Sequence, residues 1–151
     1  MLTRYLNEST VAARCRAADK AEAIRIAGDL LVKLDLVDPH YIDEMISSVN
    51  HLGPYIVISP GIAFAHARPS ELVREDCVSL VTLDPPVSFG HPKNDPVSVL
   101  FVLAARHANQ HLSVMRVIAK LITRPNFVAD MTAAKCADDL LRYLNQAEPT
   151  G

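Results

Sequence analysis

The run VSVLFVLAA, Val97 to Ala105, is apolar at every position but Ser98. A strand that shows one face to water alternates apolar and polar residues, so a run of this kind belongs to a central strand covered on both faces. Other short apolar runs precede it: YIVIS, GIAFA, CVSLVTL and VSF, punctuated by breakers such as SPG, DPP and FGHPKNDP. These also read as strands. The ends of the chain follow a different period. Ala23, Ile24, Ile26, Ala27, Leu30, Leu31 and Leu34 recur at three- and four-residue steps, which predicts a helix over 20–34. Asp38 and Pro39 then supply a cap and a proline at the first helical position, and Tyr41, Ile42, Met45, Ile46 and Val49 line one face of a second helix, which Gly53 and Pro54 end. Leu112, Met115, Ile118, Ala119 and Ile122 predict a third, from near Asn109 to before Pro125, with shorter helices over 127–134 and 138–146. Helices at both ends of a strand-rich middle make an α/β sandwich rather than a bundle.

The chain has 151 residues, 50% of them hydrophobic, enough for one compact domain with a proper core, and a single domain over 1–151 is expected. A formal charge of −2 without blocks of like charge gives no sequence-independent grip on nucleic acid or on an acidic membrane. Cys15, Cys77 and Cys136 are odd in number and lack a CxxC pair, which argues against a disulfide framework or a zinc ribbon and for a reducing compartment. The N-terminal stretch lacks the apolar core of a signal peptide, and no run approaches the ~20 residues of a membrane helix. The expectation is a soluble, cytoplasmic protein.

The chemistry-bearing candidates are histidines: His40, His51, His66, His91, His107 and His111. His66, in GIAFAHARP, falls where a strand ends, behind Gly61 and Ala63, which are small enough to let another chain approach closely, and two residues before Arg68, whose guanidinium can hold an anion through two parallel hydrogen bonds. Two readings stand side by side: a phosphate-facing edge, or a strand cap in which Arg68 pairs with Glu71 or Glu75. His111 occupies the first turn of the predicted third helix, where unpaired backbone N–H groups and the helix dipole favour an anion; the plainer alternative is a solvent-facing residue at a helix start. HANQH, His107 to His111, has the spacing of the zinc-protease HExxH motif, but Ala108 stands where the glutamate base belongs and His107 falls outside the helix, so no zinc site is expected. His40, His51 and His91 read as structural. Cys77 lies in a strand and Cys15 and Cys136 near helix ends, and all three read as inert thiols. Walker, GxGxxG and DxDxDG loops are absent, so neither a nucleotide cofactor nor a tightly bound metal is expected.

The stretch GPYIVISPGIAFAHARPSE, the later VSFGHPKNDPVSVLFVLAA and the HL of NQHLSVMRVIAKL resemble the mannitol/fructose-type EIIA components of the bacterial sugar phosphotransferase system, and within them the ascorbate-specific branch. The resemblance spans about 20–146. It implies a three-layer sandwich, with a mixed, mostly parallel five-stranded sheet between helices and the active site at a sheet edge. His66 matches the family's phosphorylated histidine and His111 its second active-site histidine. Mannitol and fructose members usually carry PHG around the first histidine. Here Ala65 precedes it and Ala67 and Arg68 follow, which moves the match toward the ascorbate branch. Mannitol members also have an active-site arginine in the preceding helix, where this chain reads MISSVNHLGP, and Arg68 is the expected replacement for that charge.

The resemblance implies that His66 takes a phosphoryl group from phosphorylated HPr and passes it to a cysteine of a cognate EIIB, and through it serves a membrane EIIC, for L-ascorbate or a related sugar. A homodimer is compatible with the family. The alternative is a regulatory EIIA-like protein whose phosphorylation state controls a binding partner. Transient exchange of this kind implies a shallow apolar surface around His66, with Ile62, Phe64 and Pro69 as its expected members.

Overall fold

The computed structural model describes residues 4–147, apart from the side chains of Gln110 and His111. Five strands and five helices follow one another as β1 (Val11–Cys15), α1 (Lys20–Lys33), α2 (Pro39–Leu52), β2 (Val57–Ser59), β3 (Ile62–His66), β4 (Cys77–Val87), β5 (Val97–Ala104), α3 (Ala108–Leu121), α4 (Phe127–Ala133) and α5 (Ala137–Ala147). The strands form one mixed sheet in the order β1-β4-β5-β3-β2. The β1–β4 and β3–β5 pairs run parallel, and the β4–β5 and β2–β3 pairs antiparallel.

VSVLFVLAA is the middle strand, β5, and it works as its composition requires. Leu100, Val102 and Ala104 face a core shared with α1 and α2, while Val99, Phe101 and Leu103 face a second core shared with α3, α4 and α5. The α/β sandwich is therefore the observed fold, with helices on both faces of one sheet. The two faces differ in bulk. On β3, Ala63 and Ala65 turn to the α1–α2 side, whereas Ile62 and Phe64 turn to the α3 side. On the α1–α2 side the helices also approach each other closely: a Cβ placed on Gly28 of α1 would meet the Ile42 side chain of α2 at 2.5 Å.

Helix starts are capped as the sequence dictates. The Asp19 carboxylate accepts from the Glu22 N–H, and Asp38 accepts from the His40 N–H ahead of Pro39 at the start of α2. The Asp38 carboxyl is held below its usual range, first by that backbone N–H and then by the His40 ring. Gly53 closes α2 at φ 88.

Three expectations need correction. The segment Val11–Cys15 forms an edge strand, so Cys15 ends a strand instead of flanking a helix; Arg14, at φ 54, interrupts its register and hides the alternation that marks a strand. VSF is not a strand of its own, because β4 runs on through Asp84, Pro85 and Pro86 to Val87. Gly61 does not make room for a neighbouring chain: a Cβ there would sit at ordinary contact distance, 3.5 Å from Val128, and its φ of 78 in the turn between β2 and β3 is what calls for glycine.

Candidate active site

His66 is the last residue of β3, in register with Leu103 of β5. Both strands run in the same direction and stop together, and β5 leads straight to His107, the N-cap residue of α3. The strand carrying His66 and the positive end of a 14-residue helix therefore open at one edge of the sheet. His111 is the fourth residue of that helix, so its backbone stands in the first turn; its side chain lies outside the described residues.

The half-buried imidazole of His66 is fixed on the α3 side of the sheet by strand alternation with Phe64. Its Nδ1–H donates to the Phe64 carbonyl oxygen at 3.1 Å. Since a carbonyl can only accept, this contact selects the Nδ1–H tautomer and puts the lone pair of the neutral ring on Nε2. Burial lowers the pKa of His66 below the ordinary histidine value, and the bond to Phe64, which favours the charged form, offsets only part of that. The ring is thus neutral and nucleophilic at neutral pH. The Phe64 ring lies tilted against it at 5.2 Å and Tyr55 meets it edge-on at 6.0 Å.

Beside the imidazole opens an apolar cavity of about 430 Å³, walled by Tyr55, Ile58 and Phe64 from the sheet side and by Met115 and Ile118 of α3 with Ile122 at its C-cap. Of the expected apolar surface, Pro69 is exposed, but Ile62 and Phe64 are buried, since their strand positions face the helices of the second core. The exposed apolar groups that line the cavity are instead Tyr55, before β2, and Ile58, on it. The YIVIS run signals them only weakly, because an edge strand of three residues shows too little alternation to say which side chains face outward.

Arg68 lies two residues beyond His66 and is exposed. Neither the pair with Glu71 nor the pair with Glu75 forms among the described residues. The strand-cap reading therefore loses its ion pair.

The other histidines hold turns and helix ends. The Nδ1 of His91 accepts from the N–H groups of Lys93 and Asn94 at 3.1 and 2.9 Å, that of His51 donates to the Ser47 carbonyl, and that of His40 meets Asp38. Cys77 is buried and its thiol is pushed up to about 12, chiefly by burial and then by Asp76 and Glu75, so it stays protonated.

A sandwich that offers a neutral, oriented imidazole at the shared exit of two parallel strands, beside an apolar cavity and a helix start, is a group-transfer domain in outline. Comparison with known proteins makes that specific. Residues 4–147 match the family model of the phosphoenolpyruvate-dependent sugar phosphotransferase system, EIIA 2, and the chain belongs to that family. It is 39% identical over 127 residues to the ascorbate-specific PTS system EIIA component of Salmonella choleraesuis, covering 83% of this chain and 82% of that one. Among solved structures, a candidate PTS IIA domain from Streptococcus pyogenes superposes with a TM-score of 0.89 at 28% identity, over 99% of both chains. The mannitol enzyme IIA of Escherichia coli, solved in complex with phosphorylated enzyme IIB, superposes at 0.82 and 25% identity, over 93% of this chain and 97% of that one. These likenesses agree with the resemblance drawn from the residues around His66 and His111.

Proposed function

We propose that the chain is a phosphocarrier of the sugar phosphotransferase system that accepts its phosphoryl group on His66. The observation that carries the proposal is the Nδ1–H bond to the Phe64 carbonyl, which leaves the reactive lone pair of a neutral ring on Nε2. Nε2 attacks the phosphorus of the phosphohistidine of HPr in line. The new Nε2–P bond forms as the N–P bond of the donor breaks, and the electron pair of that bond stays with the donor imidazole. In the onward step the thiolate of an EIIB cysteine attacks the same phosphorus and His66 regains its lone pair. Such transfers depend on positioning and on charge stabilisation around the three equatorial oxygens more than on proton transfer. The start of α3 with His111, and Arg68 at the strand exit, are the cationic and donor groups assigned to that task.

The ascorbate-specific relatives and the Ala65, Ala67 and Arg68 flanks support L-ascorbate or a related sugar as the cargo of the system. The complex of the mannitol protein with its phosphorylated enzyme IIB supports docking of an EIIB at this site, and the exposed Tyr55 and Ile58 beside the cavity are the surface assigned to it. One domain over 1–151 suffices for this role.

The test is transfer from phosphorylated HPr to the purified chain, then to the cysteine of an ascorbate-type EIIB. The expected result is an acid-labile, base-stable phosphoryl group that is lost on His66→Ala and is passed onward by the native chain. No labelling at all overturns the proposal. Labelling without onward transfer to any EIIB assigns the chain to regulation.

A further inference from the structure

His66 owes its tautomer to a bond with the carbonyl only two residues back, and that contact lasts only while the backbone from Phe64 to His66 keeps its torsions. The ladder with β5 holds these residues but reaches its last pair at His66 with Leu103, so the backbone that leaves His66 needs a separate anchor. What lies just past the ladder is a buried phenol. Tyr41, in the first turn of α2, is fully buried, and its hydroxyl donates to the Ala67 carbonyl oxygen at 3.1 Å. Ala67 is the residue after β3 ends. One hydroxyl thus ties the exit of the strand that carries His66 to the start of α2.

The start of α2 holds the rest of that segment as well. The Asp38 N–H donates to the Leu72 carbonyl at 2.8 Å, and Val37 forms a bridge with Val73. The stretch 67–73 is therefore pinned at both ends by 37–41, with Arg68 in the span between. Burial pushes the Tyr41 phenol up to about 12, so it stays a donor throughout the neutral range.

We propose that Tyr41 is a positioning residue for His66: its hydroxyl, through the Ala67 carbonyl, holds the strand exit in the conformation that keeps Nδ1–H on Phe64 and the lone pair on Nε2. The kinetic part of this rests on the reading of His66 as phosphoryl acceptor, whereas the tautomer part does not.

Tyr41→Phe keeps the ring and removes only the hydroxyl. Nitrogen-15 spectra of histidine-labelled protein are expected to show His66 as the Nδ1–H tautomer in the native chain and as a mixture of tautomers in the variant. The rate of phosphoryl acceptance at saturating phosphorylated HPr is expected to fall about tenfold while KM for the donor stays within about twofold, since orientation and not docking is lost. Thr82→Val serves as the control. It removes another buried hydroxyl, one that accepts from the Arg14 N–H far from the β3 exit, and it should lower stability while leaving tautomer and rate as in the native chain. A Tyr41→Phe protein with the native tautomer and native rate overturns the proposal, as does a Thr82→Val protein that shifts both equally. If the native chain accepts no phosphoryl group, the proposed function fails, and the tautomer comparison still decides the role of Tyr41.

Discussion

At the scale of the residue, His66 combines two effects that pull its pKa in opposite directions, and burial wins. The native ring therefore resists protonation at pH values where the unfolded chain has already bound a proton at its histidine. Stability contributed by this site is complete above the ordinary value of 6.5 and declines as the pH falls from there toward the lower native pKa, because the unfolded state then binds more protons. Two outcomes follow. Ring titration by NMR should place the midpoint of His66 below 6.5, and the acidic limb of the acceptance rate should fall at that same lowered pH. For Arg68, which has no ion pair within the described residues, exchange for alanine should leave thermal stability nearly unchanged and slow phosphoryl acceptance about tenfold, the scale of a charge-assisted contact to the moving group. Undiminished transfer removes Arg68 from the site. The place of His66 at a strand end was legible in GIAFAHARP. Its tautomer was not, since the partner that selects it is a backbone carbonyl, and a sequence does not show where a carbonyl points.

At the scale of the element, helices read more clearly than strands. The caps at Asp19 and Asp38, the proline at 39 and the glycine at 53 are local signals, and the helices start and stop within a residue or two of them. Asp19→Ala should accordingly cost about 1 kcal/mol in denaturant unfolding, the usual worth of a side-chain cap. The contact between α1 and α2 is different in kind, because nothing local to Gly28 announces it. Alanine favours a helix over glycine by about 1 kcal/mol, but here its methyl would collide with the fully buried, β-branched Ile42. Gly28→Ala is therefore expected to be destabilising by about 1–2 kcal/mol net, overpacking outweighing propensity. A stabilised variant would show that Ile42 moves aside freely. Strand β1 escaped notice for a related reason: VAARC has two alanines and a left-handed Arg14 in five residues, and only its pairing with β4 makes it a strand.

At the scale of the whole molecule, one strand organises everything. β5 is apolar on both faces, so it is sandwiched by two helical layers; because β3 lies parallel beside it, the exit of β3 and the start of α3 share an edge. The sandwich could be read from VSVLFVLAA together with the helical ends of the chain, and the strand order could not, because pairing partners depend on crossovers that leave no mark in composition. The apolar surface near the site was likewise foreseen in kind and misassigned in part, with Tyr55 and Ile58 taking the place of the buried Ile62 and Phe64. Ile58 is 45% exposed and lines the cavity beside His66, so Ile58→Asp should leave the fold intact and raise KM for the phosphoryl donor about tenfold, as loss of an apolar anchor does. An unchanged KM would place docking elsewhere.

The phosphoryl transfer proposed for the chain turns on one atom, Nε2 of His66. Nitrogen-15 and phosphorus-31 spectra of the histidine-labelled chain after reaction with phosphorylated HPr test it most directly. A single phosphohistidine whose Nε2 resonance couples to phosphorus, absent from His66→Ala, is the predicted result; a phosphoryl group on Nδ1 or on another histidine would contradict it.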